Sequence, residues 1–280
     1  MIKKYKAIIF HILVLITFLF LDLLIRKTLL LFFELEEPEI IYLHFVSRLI
    51  IAIGLIIYVA KLNIVDFKKI LKNNFLVILS ILFAIWLIHF DSFKMFSDID
   101  SQIITFFYAT QSFLGIFEEV GFRVLVFASI YGLFFKEKNY SNSSQLLLSS
   151  VLLTSILFSF VHSINIFKLI NAVGFERALF SVSNQLVFAF AMGYVFSLIL
   201  FYSKNIIFIG LTHGFVNFFG SYKVYFLISQ TQNNNNGFIE KIIVLLLFMF
   251  LAFVVIQVCK FILKTYPPKI DFVLTLEKLH

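Results

Sequence analysis

Apolar runs long enough to cross a bilayer recur along the whole chain, and no polar stretch of domain length separates them. In hydrocarbon every backbone N–H and C=O must be satisfied within the protein, so a spanning chain forms helices or a closed barrel. Barrel strands alternate apolar and polar residues, whereas these runs are apolar on every side. Composition points the same way. At 61% hydrophobic and 14% charged residues, the 280-residue chain has too little polar material to cover a water-exposed surface. With Phe 40 against Gly 10 and Pro 3, the helices are long and have few built-in breaks. The expected fold is all-α, a polytopic membrane helix bundle of about eight transmembrane helices.

The runs fall at about 7–25, 40–60, 75–90, 104–135, 145–162, 179–202, 205–221 and 238–263. The fourth is too long for one straight helix, and Gly115 is expected to divide it, with a spanning helix starting near Phe117. Lys3, Lys4 and Lys6 ahead of the first run imitate a secretory signal. No small-residue cleavage site follows, and the run ends at Asp22–Arg26, so it reads as a retained span. The single cysteine, Cys259, forms no internal disulfide.

A formal net charge of +7 raises the question of nucleic acid. The lysines answer it by their placement. Lys61, Lys68, Lys69 and Lys72 follow the second run, Lys136 and Lys138 the fourth, Lys204 the sixth, and Lys260, Lys264 and Lys269 the eighth. The intervening loops carry Glu34, Glu36, Glu37 and Glu39, then Asp91, Asp98 and Asp100. This alternation is membrane topology, with the lipid bilayer as partner and no nucleic acid. The positive-inside rule places both termini in the cytoplasm, with Arg26, Lys27, Lys168 and Arg177 as exceptions. No internal repeat is visible, and the run Asn233–Asn236 reads as a loop tip.

Ionisable groups inside a bilayer are costly and usually mark a site or a pathway. One cluster is Glu118-Glu119-Val120-Gly121-Phe122-Arg123. Adjacent residues on a helix point about 100° apart, so the two carboxylates face different neighbours. Arg123 lies one turn after Glu119, within reach of an intrahelical pair that leaves Glu118 for other work. A second cluster is Phe158-Ser159-Phe160-Val161-His162, and a third is His213-Gly214-Phe215-Val216-Asn217. His213 and Asn217 share a helix face, and Gly214 admits a close neighbouring helix. Taken singly, each has a bland reading as helix cap, interfacial histidine or polar glue. Together, two histidines, a carboxylate and an amide form a set able to activate a water and stabilise an oxyanion.

These three motifs, EEVGFR over 118–123, FSFVH over 158–162 and HGFVN over 213–217, resemble the EExxxR, FxxxH and HxxxN/D motifs of the CPBP family of intramembrane proteases. That family includes the type II CAAX prenyl endopeptidases and bacteriocin-processing and immunity proteins. The resemblance divides the chain into N-terminal transmembrane helices over 1–103, a CAAX-protease-like core over 104–221, and a C-terminal transmembrane helix with a cytoplasmic tail over 222–280. It implies an intramembrane endopeptidase acting on a membrane-associated peptide or protein. In that reading Glu118 is the general base and His162 helps to hold the water. His213 and Asn217 stabilise the oxyanion, and Glu119 with Arg123 supports the site. Val124 departs from the small residue that many members carry after the arginine, with a packing consequence only.

Glu118, His162 and His213 could also ligate a zinc ion with water in the fourth position. The chain has no HExxH helix. The expectation is that no cofactor is required, with zinc as the alternative. Asp22, His44, Arg48 and His89 read as structural or interfacial residues, with Asp22 able to pair with Arg48 across helices. Ser183, Asn184 and Gln185 are candidates for lining the cavity. Two non-enzymatic readings compete: an immunity or scaffold protein that keeps the fold, and a small transporter, which the lack of a repeat disfavours.

Overall fold

The computed structural model describes residues 2–32, 37–61, 101–136, 143–203, 206–226 and 238–265. Among these the chain is helical apart from Gly174, whose φ of 81° separates two helices, and there is no strand. The helices are α1 (Ile2–Phe32), α2 (Glu37–Lys61), α3 (Ser101–Glu119), α4 (Phe127–Lys136), α5 (Ser143–Val161), α6 (Asn165–Val173), α7 (Phe175–Ser203), α8 (Ile206–Phe226) and α9 (Phe238–Thr265). A π-helical segment, Val120–Val126, joins α3 to α4, and a 3-10 turn, His162–Ile164, joins α5 to α6. The span expected at about 75–90, with His89, lies outside the described residues.

Five helical stretches are long and apolar enough to cross a membrane: Ile9–Thr28, Glu39–Lys61, Gln145–Asn171 (which runs from α5 through the 3-10 turn into α6), Phe175–Phe201 and Leu245–Thr265. A shorter apolar stretch, Ile206–Phe219, lies in α8. The chain is a multi-pass membrane protein. Its many Ser and Thr residues donate back to backbone carbonyls one turn earlier, as Thr110 does to Phe106 O at 2.7 Å and Thr154 to Ser150 O at 2.7 Å. Such bonds let a hydroxyl sit in a buried helix without an unmet donor.

Two compact units are present. The first holds α1, α2, α3, the π segment and α8. Its tightest feature is the α3–α8 pair, where three glycines replace side chains at the crossing. A Cβ on Gly115 would lie 2.5 Å from Gly214 N, one on Gly210 would lie 2.5 Å from Ile116 Cα, and one on Gly214 would lie 2.7 Å from Ser112 N. Nothing larger than hydrogen fits at any of the three, so the two backbones touch. Gly115 therefore does not divide the fourth run. Helix α3 passes through it without a break because the glycine is needed for close approach, and the change of helical form comes later, at Val120. Outward from the seam, Phe107 and Tyr108 of α3 pack on Phe218 of α8 with ring centroids 5.6 and 5.7 Å apart. Helix α2 covers the next face of α3, with Tyr42 and Phe45 edge-on to Phe106.

Helix α1 meets α2 and the π segment. Asp22 of α1 accepts from Ser47 of α2 at 2.8 Å and pairs with Arg26 at 2.7 Å. Ser47, a residue the sequence did not single out, thus gives Asp22 one cross-helix bond. Arg48 lines the same small cavity as Asp22, together with Leu19, Ile51, Leu114 and Phe117.

The second unit holds α4, α5, the 3-10 turn, α6, α7 and α9. Helix α5 packs against α4 and α9. It also meets α7 closely, since a Cβ on Gly193 would lie 2.5 Å from Ser155 Oγ.

Candidate active site

The EExxxR motif sits where α3 gives way to the wider π turn. Glu118 and Glu119 are the last two residues of α3, and Arg123 lies inside the π segment. Short π segments inside α-helices occur frequently at functional sites. Here the wider turn also carries Gly121. A Cβ at that position would lie 2.5 Å from Leu15 Cδ2, so α1 seats a leucine against the backbone just past the two carboxylates.

The glycine seam brings His213 to this place. Its Nδ1 lies 2.8 Å from Glu119 Oε1 in a buried hydrogen bond that links positions 94 residues apart. Its Nε2 lies 3.2 Å from Glu118 Oε2. A carboxylate therefore stands at each ring nitrogen. A neutral imidazole carries one N–H and donates to only one of them. The aligned bond is the one to Glu119. Glu118 Oε2, a buried atom, stands near Nε2 without hydrogen-bond alignment.

Glu119 also faces Arg123, with Oε2 3.3 Å from Nε and side chains 0% and 1% exposed. The spacing of the motif predicts this pair, and the structure contains it. Glu119 is thereby shared between a guanidinium and an imidazole. Glu118 remains partly open, with a side chain 18% exposed. Burial thus separates two adjacent carboxylates by environment, one enclosed and one reachable. Asn217, one turn beyond His213 on α8, is half-buried.

His162 belongs to the second unit. It opens the 3-10 turn at the end of α5, and its Nδ1 lies 2.8 Å from the carbonyl oxygen of Phe158. A carbonyl only accepts, so Nδ1 is the donor. In the neutral ring Nε2 then carries the lone pair, ready to accept a proton or hold a water. Phe158 also packs edge-on against the ring, with centroids 4.7 Å apart. In so Phe-rich a chain the phenylalanine of FxxxH carries little information as sequence, yet here it supplies both the acceptor and the ring contact.

The first unit therefore gathers Glu118, Glu119, Arg123 and His213, and the second unit carries His162. Two further features were not singled out in the sequence. One is Gly210, which forms a GxxxG pair with Gly214 and was legible as such. The other is Asn165, whose Nδ2 donates to Gln185 Oε1 at 3.0 Å. Of the candidate cavity-lining residues, Gln185 is thus engaged with α6, while Ser183 and Asn184 lie half-buried on α7. Among the described residues no group of three His, Cys, Asp or Glu side chains could hold a metal ion, and both His213 nitrogens are faced by carboxylates.

Residues 100–219 match the family model described as type II CAAX prenyl endopeptidase Rce1-like. No curated protein and no solved structure matches the chain.

Proposed function

From the premise that residues 100–219 form an Rce1-like domain of the type II CAAX prenyl endopeptidase kind, we propose that this chain is a glutamate-dependent intramembrane endopeptidase. Its substrate is a membrane-associated peptide or protein. The observation that carries this reading is the convergence of Glu118, Glu119 and His213 from helices far apart in sequence, with one carboxylate enclosed and the other partly open.

In the proposed reaction Glu118 takes a proton from the attacking water, and the FxxxH motif resemblance gives His162 the role of holding water. The hydroxide oxygen bonds to the scissile carbonyl carbon while the C=O π electrons move to oxygen. Asn217 and the doubly protonated ring of His213 donate to that oxyanion, Nδ1–H staying on Glu119 while Nε2–H reaches the oxygen, and fixed donors contribute most to catalysis there. On collapse, the C–N bond breaks and the proton on Glu118 passes to the leaving amine nitrogen. Glu119 acts on His213 rather than on substrate. By accepting at Nδ1 it sets the ring so that Nε2 faces Glu118. Arg123 balances the charge of Glu119 within the protein.

This chemistry uses side chains alone. Stripping with a chelator is expected to leave cleavage intact, as measured by metal analysis and activity on the same sample. Loss of activity that zinc restores would overturn that part of the reading.

The central test is Glu118→Gln in proteoliposomes, assayed with farnesylated and unmodified fluorophore–quencher peptides. Membrane insertion and thermal stability should persist while cleavage disappears. A biological phenotype that survives this substitution unchanged would mean a scaffold or immunity role independent of hydrolysis.

A further inference from the structure

The backbone changes form at His162. Helix α5 ends at Val161, the 3-10 turn spans His162–Ile164, and α6 starts at Asn165. Hydrogen bonds in 3-10 turns have poorer geometry than those of an α-helix, so such a turn needs outside support to hold one conformation. Two side-chain bonds supply it, from the third residue before His162 and the third residue after. Ser159 Oγ donates to Leu186 O at 2.8 Å, and Asn165 Nδ2 donates to Gln185 Oε1 at 3.0 Å. Both end on neighbouring residues of α7.

These bonds are not needed merely to dock α5 on α7. The close approach of Gly193 to Ser155 already does that elsewhere along the pair. What the Asn165–Gln185 bond adds is local to the turn. It joins the first residue of α6 to Gln185, the last of the polar run Ser183-Asn184-Gln185 before α7 turns apolar. An amide–amide bond also has direction, which apolar packing lacks.

We propose that Asn165 and Gln185 are positioning residues for His162, pinning its turn to α7 and so fixing the place of its basic Nε2. The inference rests on the reading of His162 as a water-holding residue, and it adds two residues outside the three motifs. Neither amide is placed in contact with substrate.

The test uses the full chain in proteoliposomes with the farnesylated fluorophore–quencher peptide. Gln185→Leu and Asn165→Leu each delete the bond, and Gln185→Glu keeps an acceptor for Asn165 Nδ2. Both leucine variants should lose roughly tenfold or more in kcat with KM unchanged, the scale expected for a displaced catalytic group. Gln185→Glu should recover most of the loss. In 15N-histidine NMR, assigned by subtracting the His162→Ala spectrum, wild type should show one Nδ1–H tautomer of His162 and the leucine variants a mixture. Wild-type kcat in both leucine variants overturns the proposal. So does a fall in kcat with an unchanged His162 spectrum, which would mark a general structural effect. If Glu118→Gln and His162→Ala cleave at the wild-type rate, the endopeptidase reading fails by itself. The NMR comparison then still decides the positioning claim.

Discussion

Glu119 has two partners, and they ask different things of it. Arg123 needs its charge, while His213 Nδ1 needs only an acceptor. Substitutions can separate the two. Arg123→Ala leaves a fully buried carboxylate without its guanidinium and should cost about 3–5 kcal/mol, the usual scale for breaking one side of a buried ion pair. Thermal unfolding in detergent measures it. Glu119→Gln keeps an acceptor for His213 but leaves Arg123 without its facing charge, so it should also destabilise while retaining more activity than Glu119→Leu. At this scale the sequence showed what lies within one helix. The Glu119–Arg123 pair follows from spacing alone. The Glu119–His213 bond does not, because nothing in local sequence sets the distance between residues 94 positions apart. Only the family motifs placed His213 and Glu118 in one site.

The element that sets the site is the α3–α8 pair, and its glycines make sharp predictions. Gly214→Ala and Gly115→Ala would drive a methyl group into the facing backbone. Backbone cannot turn aside as a side chain can, so overpacking of about 1–3 kcal/mol or more is expected, with loss of cleavage. Gly121→Ala should be milder, because the atom it meets is the flexible end of Leu15. Combining it with Leu15→Ala should recover stability, a coupling that a double-mutant cycle would read directly. The sequence drew attention to Gly115 for a different reason, as a break. A glycine in an apolar helix reads equally well as a hinge or as a contact, and only the opposing pair Gly210 and Gly214 decides between them. The π segment was not legible, since its sequence is compatible with an ordinary helix.

At the scale of the whole molecule, hydropathy carried most of the information. The all-helical, multi-pass architecture follows from run length and composition, because lipid leaves few other solutions. Run boundaries and neighbours do not follow, since a helix apolar on all sides gives no sign of which face meets protein. Helix α9 illustrates this: Ile239, Leu246 and Phe250 are 72%, 58% and 63% exposed, although its sequence is as apolar as any buried helix. Phe250→Arg should therefore oppose insertion by about 3 kcal/mol if that surface faces hydrocarbon, as read from the inserted fraction in a translocation assay. For orientation, a green fluorescent protein fused to the C-terminus should fluoresce and an alkaline phosphatase fusion should stay inactive. The opposite pair of results would reverse the cytoplasmic placement of the tail.

The glycine seam has one more consequence. A joint made of two touching backbones has no soft layer to compress, so α3 and α8 behave as a fixed gauge between acid and imidazole. A bilayer changes thickness and lateral pressure with temperature and lipid supply. Helices held apart by side chains can yield to that stress by shifting rotamers, but at Gly115 and Gly214 backbone meets backbone directly. The spacing of Glu118, Glu119 and His213 should therefore stay constant across lipid mixtures, and any lipid dependence of activity would arise elsewhere in the protein.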